Sequence, residues 1–486
     1  MSILAIDAGT TGVTVLIVSE RGEIASRGYC EFEQHFPQPA WVEHDPEQIW
    51  DAVISATKMA LVDPDEIHAI GITNQRETLV LWDRETLQAP RRAIVWQDRR
   101  TSEFIEDFRS HAGLIHSKTG TNLDPYFTST KLVWIQRNEP EIWERVVRGE
   151  LAVGTIDSYL VARLSGGMSH ITDASNASRT QLCNIDTGEW DAELLEVFNV
   201  PLSALPEIVP NYGNLSKTNP EHFLGIEVPI SGMAGDQQAA LFGQTAFKIG
   251  DAKCTYGTGA FLLVNTGNKR VESNHGLIST IAWKDPNGEI TYALEGSVFV
   301  AGSAVQWLRD GLKIIKNAAD IESLALQVPD SGGVVFVPAL TGLGAPWWNP
   351  EVRGSITGIT RGTTDAHIAR ATLEAVAFEV TDLVVAMESD LGSTIGQLRV
   401  DGGMCGNKLF LELQASALNR DLMVGKNLET TALGAAYLAG LGRGIFESMD
   451  SLQHLWQRAF DVQPGSQQSL NYRLWSAAVK NLNASS

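Results

Sequence analysis

Hydrophobic and polar positions along this chain follow two alternating rhythms. The first segment alternates with the two-residue period of a strand through residues 2–8 and again through 13–19, with the turn Arg21-Gly22-Glu23 behind it. Successive strand side chains point to opposite faces, so this pattern predicts an antiparallel opening. Asp45-Pro46-Glu47-Gln48 then marks a helix start, with a capping Asp, a Pro where no amide hydrogen is needed, and a Gln three residues after the cap. The runs 67–73 and 78–82 read as buried strands, the second turning at Asp83-Arg84, and strand and helix signals alternate to about residue 243. A second round starts near Gly250. Strand-like residues flank Gly257, helical patterns cover 301–312 and 366–388, and a strand over 397–400 runs into Asp401-Gly402-Gly403. A helix begins near Asn407, and 430–441 is another, rich in the Ala and Gly that suit close packing. Two similar rounds predict an α/β protein of two domains with a cleft between them.

Composition supports this reading. At 486 residues the chain is longer than one core ordinarily organises. Its 44% hydrophobic and 20% charged content is a soluble globular balance. The longest apolar stretch, at 432–441, is well short of the ~18 residues that a membrane span needs. The strand pattern Ile3-Leu4-Ala5-Ile6 starts at once, with no basic segment or cleavage-like site, so no signal peptide is expected. A net charge of −21 argues against nucleic acid or anionic membrane as the main partner. Any anion-binding site in such a chain must be made locally positive, by a bound cation, Arg or Lys. Cys30, Cys183, Cys254 and Cys405 lie far apart without a CxxC, which predicts free thiols and a cytoplasmic protein.

Two Gly/Thr turns carry the chemistry. Asp7-Ala8-Gly9-Thr10-Thr11 and Tyr256-Gly257-Thr258-Gly259 both sit at the ends of strand-like runs. Glycine lets backbone N–H groups approach a phosphate, and the threonines add hydroxyl donors. Asp7 could hold Mg²⁺ through water; the alternative is a plain hairpin turn. Asp236, in Gly235-Asp236-Gln237-Gln238, is either the N-cap of a helix over 237–247 or a base projecting into the cleft. Arg76-Glu77, between two strands, places a donor and an acceptor side by side as a polyol requires; the alternative is an exposed ion pair of little energetic weight. Trp96 and Tyr126 are either an aromatic wall or core, and Trp307, Trp347 and Trp348 read as packing. No HExxH, GxSxG, Walker or Rossmann motif is present, which argues against a P-loop enzyme or a dehydrogenase.

Taken together, the runs Gly71-Ile72-Thr73-Asn74-Gln75-Arg76-Glu77-Thr78, Trp96-Gln97-Asp98-Arg99-Arg100, Ser231-Gly232-Met233-Ala234-Gly235-Asp236-Gln237-Gln238, Thr255-Tyr256-Gly257-Thr258-Gly259, Thr341-Gly342-Leu343-Gly344-Ala345-Pro346 and Asp401-Gly402-Gly403 are specific. The chain resembles the FGGY carbohydrate kinases from end to end, most closely their glycerol-phosphorylating members. Residues 126–138, with Lys131 and Trp134, are similar to a signature of that family. The resemblance implies two actin-like (ribonuclease H-like) ATPase domains, over 1–246 and 247–486, flanking a deep catalytic cleft. It implies a glycerol site of Arg76, Glu77, Trp96, Tyr126, Asp236, Gln237 and Phe261, with Asp236 as general base. Thr10, Thr11, Thr258 and Gly259 would hold ATP phosphates, and Gly302, Gln306, Gly403 and Asn407 its ribose and adenine. Asp7 and Asp236 would sit nearest Mg²⁺.

Two departures accompany the resemblance. The family turn carries Arg or Lys where this chain has Thr14, so weaker ATP affinity is expected. The stretch 219–225 lacks the Gly-rich basic loop through which some relatives bind a sugar bisphosphate. His222-Phe223 instead resembles a pair that certain relatives phosphorylate from a phosphocarrier; the alternative is an ordinary loop histidine. Relatives are often homo-oligomers, dimers or tetramers. The competing functional readings are a pentulose or other polyol kinase of the same family, and a weakly active ligand sensor.

Overall fold

The computed structural model describes residues 1–349, 351–465 and 470–485. Six strands form a first sheet in the spatial order Tyr212–Lys217, Pro229–Gly235, Ile67–Asn74, Ser2–Ala8, Gly12–Ser19 and Ile24–Glu31. Its three central strands are parallel and its outer pairings antiparallel. Ser2–Ala8 is buried over most of its length, as an apolar central strand should be. Register aligns Ala8 with Asn74 and Asn74 with Gly235. The segments carrying Gly9, Arg76 and Asp236 therefore leave the sheet at one end, the carboxyl ends of parallel strands, where α/β sheets open their ligand crevices.

The second sheet repeats this arrangement. Its order is Ile278–Lys284, Ile290–Val298, Ala260–Gly267, Ala252–Tyr256, Leu398–Asp401, Leu422–Gly425 and Arg458–Val462. Thr255 pairs with Asp401 on parallel strands, so the Gly257 turn and Gly402 emerge side by side. The long helix Asp365–Leu391 buries Ala369, Leu373, Val376, Val380 and Leu383 in the core of this half.

The helix Thr430–Arg443 ties the halves together. It follows strands of the second sheet, yet Ala432, Ala435, Ala436 and Ala439 share a core with Ile3, Ala5, Leu16 and Ala69 of the first. Close approach explains its composition. A Cβ on Gly71 would lie 2.1 Å from the Ala435 carbonyl oxygen, and one on Gly434 would lie 1.8 Å from that of Ala239.

Local signals settle the starts of the elements. Asp45 caps Pro46–Ala60, its carboxylate accepting from the Glu47 amide at 3.0 Å. Two boundaries differ from expectation. The helix expected over 237–247 with Asp236 as its cap runs Asp236–Gly243, is capped by Gly235, and stops because Thr245 turns the chain at φ 50°. The strand expected over 78–82 is Val80–Asp83, because Leu79 instead makes an isolated bridge to Ile94. All four cysteines are free. Among the described residues no helix is long and apolar enough to cross a membrane.

Candidate active site

The two strand ends face each other across a cleft holding two adjoining cavities. One, of about 370 Å³, is lined by Thr10, Thr11, Gln34, Phe36, Arg76, Glu77, Trp96, Gln97, Tyr126, Asp236, Thr258, Gly259, Phe261 and Gln306. The other, of about 410 Å³, shares Thr258 and Gln306 with it and adds Gly302, Ile321, Glu322, Gly403, Met404 and Asn407 among its walls. Of the residues expected to hold glycerol, ATP or Mg²⁺, Gln237 and Asp7 are the two outside both linings. Gln237 is buried, and its Oε1 accepts from Lys253 Nζ.

Arg76 and Glu77 are not an exposed pair; both are almost fully buried. Arg76 Nη1 and Nη2 donate to Glu295 at 2.6 and 2.8 Å, and its Nε lies 3.1 Å from Asp236 Oδ1. Glu77 accepts from Arg179 Nε at 2.6 Å, while Arg179 Nη2 reaches Glu295 at 3.3 Å. Bidentate pairing suits the planar guanidinium and fixes its orientation. Burial works against the Glu295 charge, but the Arg179 and Arg76 guanidinia outweigh it and hold that carboxyl at about 2. Asp236 sits at the first helical position after Gly235, with Oδ1 also accepting from the Gln237 amide at 2.7 Å. Burial raises its pKa against the pull of Arg76 and Lys253, which favours a group able to accept a proton.

Aromatic rings enclose the pocket. Trp96 meets Tyr126 edge-on at 5.7 Å between centroids and Phe261 at 6.2 Å. Tyr126 is set by the loop before the helix Thr128–Asn138, where buried Lys131 Nζ donates to the carbonyls of Pro125, Tyr126 and Phe127 at 3.3, 2.5 and 3.1 Å. The tryptophans read as packing are partly buried in apolar clusters, with Trp307 stacked on Phe336 at 5.6 Å.

The Gly257 turn is braced from behind. Ala301 and Ser303 amides donate to the Thr258 carbonyl at 2.9 and 3.1 Å, and the Gly302 amide to that of Gly257 at 3.0 Å. A Cβ on Gly302 would lie 2.6 Å from the Gly257 oxygen, so glycine is required there. Gly402, at φ 92°, turns the chain toward Gly403, and Asn407 caps Lys408–Leu418 by accepting from the Phe410 amide at 2.9 Å. Opposite, Trp96 Nε1 donates to Thr10 Oγ1 at 3.0 Å, joining the aromatic wall to the Gly9-Thr10 turn. Asp7 lies on the strand beneath that turn; burial and the Asp236 and Glu429 charges push it up to about 8. Among the described residues no three His, Cys, Asp or Glu gather as a metal cage. Asp7 and Asp236, near enough for one charge to raise the other's pKa, offer carboxylate oxygens, the donors that Mg²⁺ takes beside its waters and substrate phosphates.

Arg179, Glu295 and Lys253 were missed in the sequence, and Gln238, quoted there only within its run, accepts from Arg76 Nη1 at 3.2 Å. Arg179 and Glu295 lie 102 and 218 positions beyond Glu77 and Glu77's neighbouring turn shows no sign of them; only the fold brings them together.

Comparison with known proteins agrees with this geometry. The profile of the FGGY family of carbohydrate kinases, N-terminal domain, matches residues 2–243, and that of its C-terminal domain matches 252–442. A glycerol kinase of Bdellovibrio bacteriovorus is 50% identical over 461 residues, covering 94% of this chain and 93% of that protein. One from Geobacillus kaustophilus is 49% identical and covers 98% of each. The crystal structure of Plasmodium falciparum glycerol kinase with ADP superposes with a TM-score of 0.89 at 38% identity, covering 99% of this chain and 98% of that one. With both domain profiles matched and relatives at half identity over nearly the whole length, the chain belongs to the FGGY family of carbohydrate kinases.

Proposed function

We propose that this protein transfers the γ-phosphoryl group of ATP to a terminal hydroxyl of glycerol, giving sn-glycerol 3-phosphate and ADP. The observation that carries this reading is Asp236, held 3.1 Å from Arg76 Nε in an aromatic-walled pocket that opens onto the Thr258 turn. A three-carbon polyol offers hydroxyls to Arg76 and Glu77 and a carbon chain to Trp96 and Phe261. Asp236 takes the proton of the terminal hydroxyl as its oxygen bonds to the γ-phosphorus, and the bond to the β-phosphate oxygen breaks. Thr10, Thr11, Thr258 and Gly259 hold the phosphates in line, and Gly302, Gln306, Gly403 and Asn407 hold the nucleoside. Positioning and electrostatics supply most of the acceleration in such a transfer. Mg²⁺, when bound, neutralises phosphate oxygens, and Asp7 and Asp236 would hold it through water. Closure of domains over 1–246 and 247–486 excludes water as a rival acceptor. The free cysteines fit a cytoplasmic enzyme. His222 is exposed beside buried Phe223, a surface placement that phosphorylation by a phosphocarrier would require.

The test is ADP release with Mg-ATP and a panel of glycerol, dihydroxyacetone, xylulose, ribulose and erythritol, for the wild type and Asp236→Asn. Turnover with glycerol that collapses about 10²-fold or more in the variant supports substrate and base together. Preference for a pentulose or erythritol keeps the kinase and discards glycerol. Binding of ATP with no turnover favours a ligand sensor.

A further inference from the structure

Behind the Thr10 turn lies a closed ring of hydrogen bonds in which the direction of every donor is determined. Gln34 Nε2 donates to the Thr10 carbonyl at 2.8 Å, so its Oε1 is the acceptor that faces His44 Nε2 at 2.6 Å. That nitrogen must carry the proton, which leaves Nδ1 to accept from Gln75 Nε2 at 3.2 Å. The second hydrogen of the same Gln75 amide goes to the Gly9 carbonyl at 3.1 Å. Gln75 Oε1 then accepts from Thr78 Oγ1 at 2.9 Å, and that oxygen accepts from the Trp96 amide at 3.2 Å. The Trp96 ring closes the circuit by donating to Thr10 Oγ1.

His44 is the only member with two equivalent-looking ring nitrogens, and the circuit assigns them opposite roles. It is fully buried, on the short strand Glu43–His44 between Gln34–His35 and Ala93–Ile94, with its ring edge-on to Phe32 at 5.0 Å. A protonated ring would turn Nδ1–H against a Gln75 amide whose hydrogens are already committed. Flipping that amide would lose the bond to the Gly9 carbonyl and leave the Thr78 hydroxyl hydrogen without its acceptor. Burial, with the neighbouring His35, keeps the ring neutral by lowering its pKa to about 3.

We propose that His44 is a positioning residue which, through this circuit, locks the Gly9-Thr10 phosphate turn and the Trp96 polyol wall into one unit. The phosphate grip and the substrate wall then hold or loosen together. This builds on the proposed function, since it assigns a coupling between the two subsites of that reaction.

Two substitutions open the circuit at separate links. Gln34→Ala removes a half-buried side chain on the phosphate side, and Thr78→Val replaces a hydroxyl by a methyl on the Trp96 side. Backbone amide exchange reads the lock without reference to any substrate. In Gln34→Ala the peptide spanning 93–97 should exchange about tenfold faster, the loss of about one hydrogen bond. Unchanged exchange at 93–97 overturns the proposal. Steady-state kinetics give the second reading. Each single variant should raise the KM for glycerol about tenfold with a smaller change in kcat, and the double variant should also stand near tenfold because the circuit is already open. A double variant near a hundredfold, the product of independent effects, overturns the coupling. His44→Ala should match the double variant in both measurements, and thermal unfolding of each variant separates this from general loosening. If the wild type turns over no glycerol, the proposed function fails, while exchange at 93–97 still decides the circuit.

Discussion

Arg76 of the first half of the chain and Glu295 of the second meet in two parallel hydrogen bonds of 2.6 and 2.8 Å inside the cleft. The same guanidinium reaches Asp236 through Nε. The orientation of the guanidinium beside Asp236 thus depends on a carboxylate from the opposite sheet, and Arg179 completes the balance by bonding both Glu77 and Glu295. Removing one partner of a buried ion pair strands the others without solvent.

Glu295→Gln should therefore lower stability by about 3–5 kcal/mol in urea unfolding at pH 7. The sign of its pH dependence follows from the depressed carboxyl. Its folded pKa of about 2 lies below the ordinary 4.5, so its contribution is complete above about pH 4.5 and is lost as pH falls toward 2. The gap between wild type and variant should shrink across that window.

Thr14 is paired directly with Asp7 on neighbouring antiparallel strands, so their side chains share a face. An arginine there would bring a cation to the face of the sheet that carries the Asp7 carboxyl. Thr14→Arg should lower the KM for ATP about tenfold while leaving that for glycerol nearly unchanged. An unchanged ATP KM would show that the phosphates are already neutralised by other groups.

Ala40 adopts φ 65°, a left-handed conformation that costs a residue with a Cβ about 1–2 kcal/mol. Its carbonyl accepts from the Arg99 amide at 2.9 Å, so the conformation is held by the fold. Ala40→Gly should raise the thermal midpoint, with a gain of about 1 kcal/mol after glycine's greater unfolded-state freedom is counted. Differential scanning calorimetry checks this.

Glu379 on the long helix Asp365–Leu391 has its Oε1 buried without a partner. Burial, with the nearby Asp382, pushes its pKa up to about 8. A raised carboxyl favours the fold fully below about pH 4.5, and that contribution is lost as pH rises through 8. Glu379→Gln should match the wild type near pH 4 and unfold at a higher temperature at pH 9. A midpoint difference that does not grow with pH would sink this assignment.

Much of this molecule is written locally. Strand periodicity, the Asp45-Pro46 cap and the Gly257 turn depend on neighbours within a few residues, so the two α/β rounds and both Gly/Thr turns could be read from the chain. The motif residues Arg76, Trp96, Tyr126, Asp236 and Phe261 could be read as well, and they converge on one pocket. What the chain alone left open was the state of those residues. Whether Arg76 and Glu77 form an exposed pair or a buried one turns on Glu295 and Arg179, which no sequence spacing connects to them. Whether Thr430–Arg443 serves the second sheet or the first turns on glycines at 71 and 434 that let two backbones touch. Periodicity reports which face of an element is buried and never against what, because long-range partners are chosen by shape and charge only once the sheets have come together.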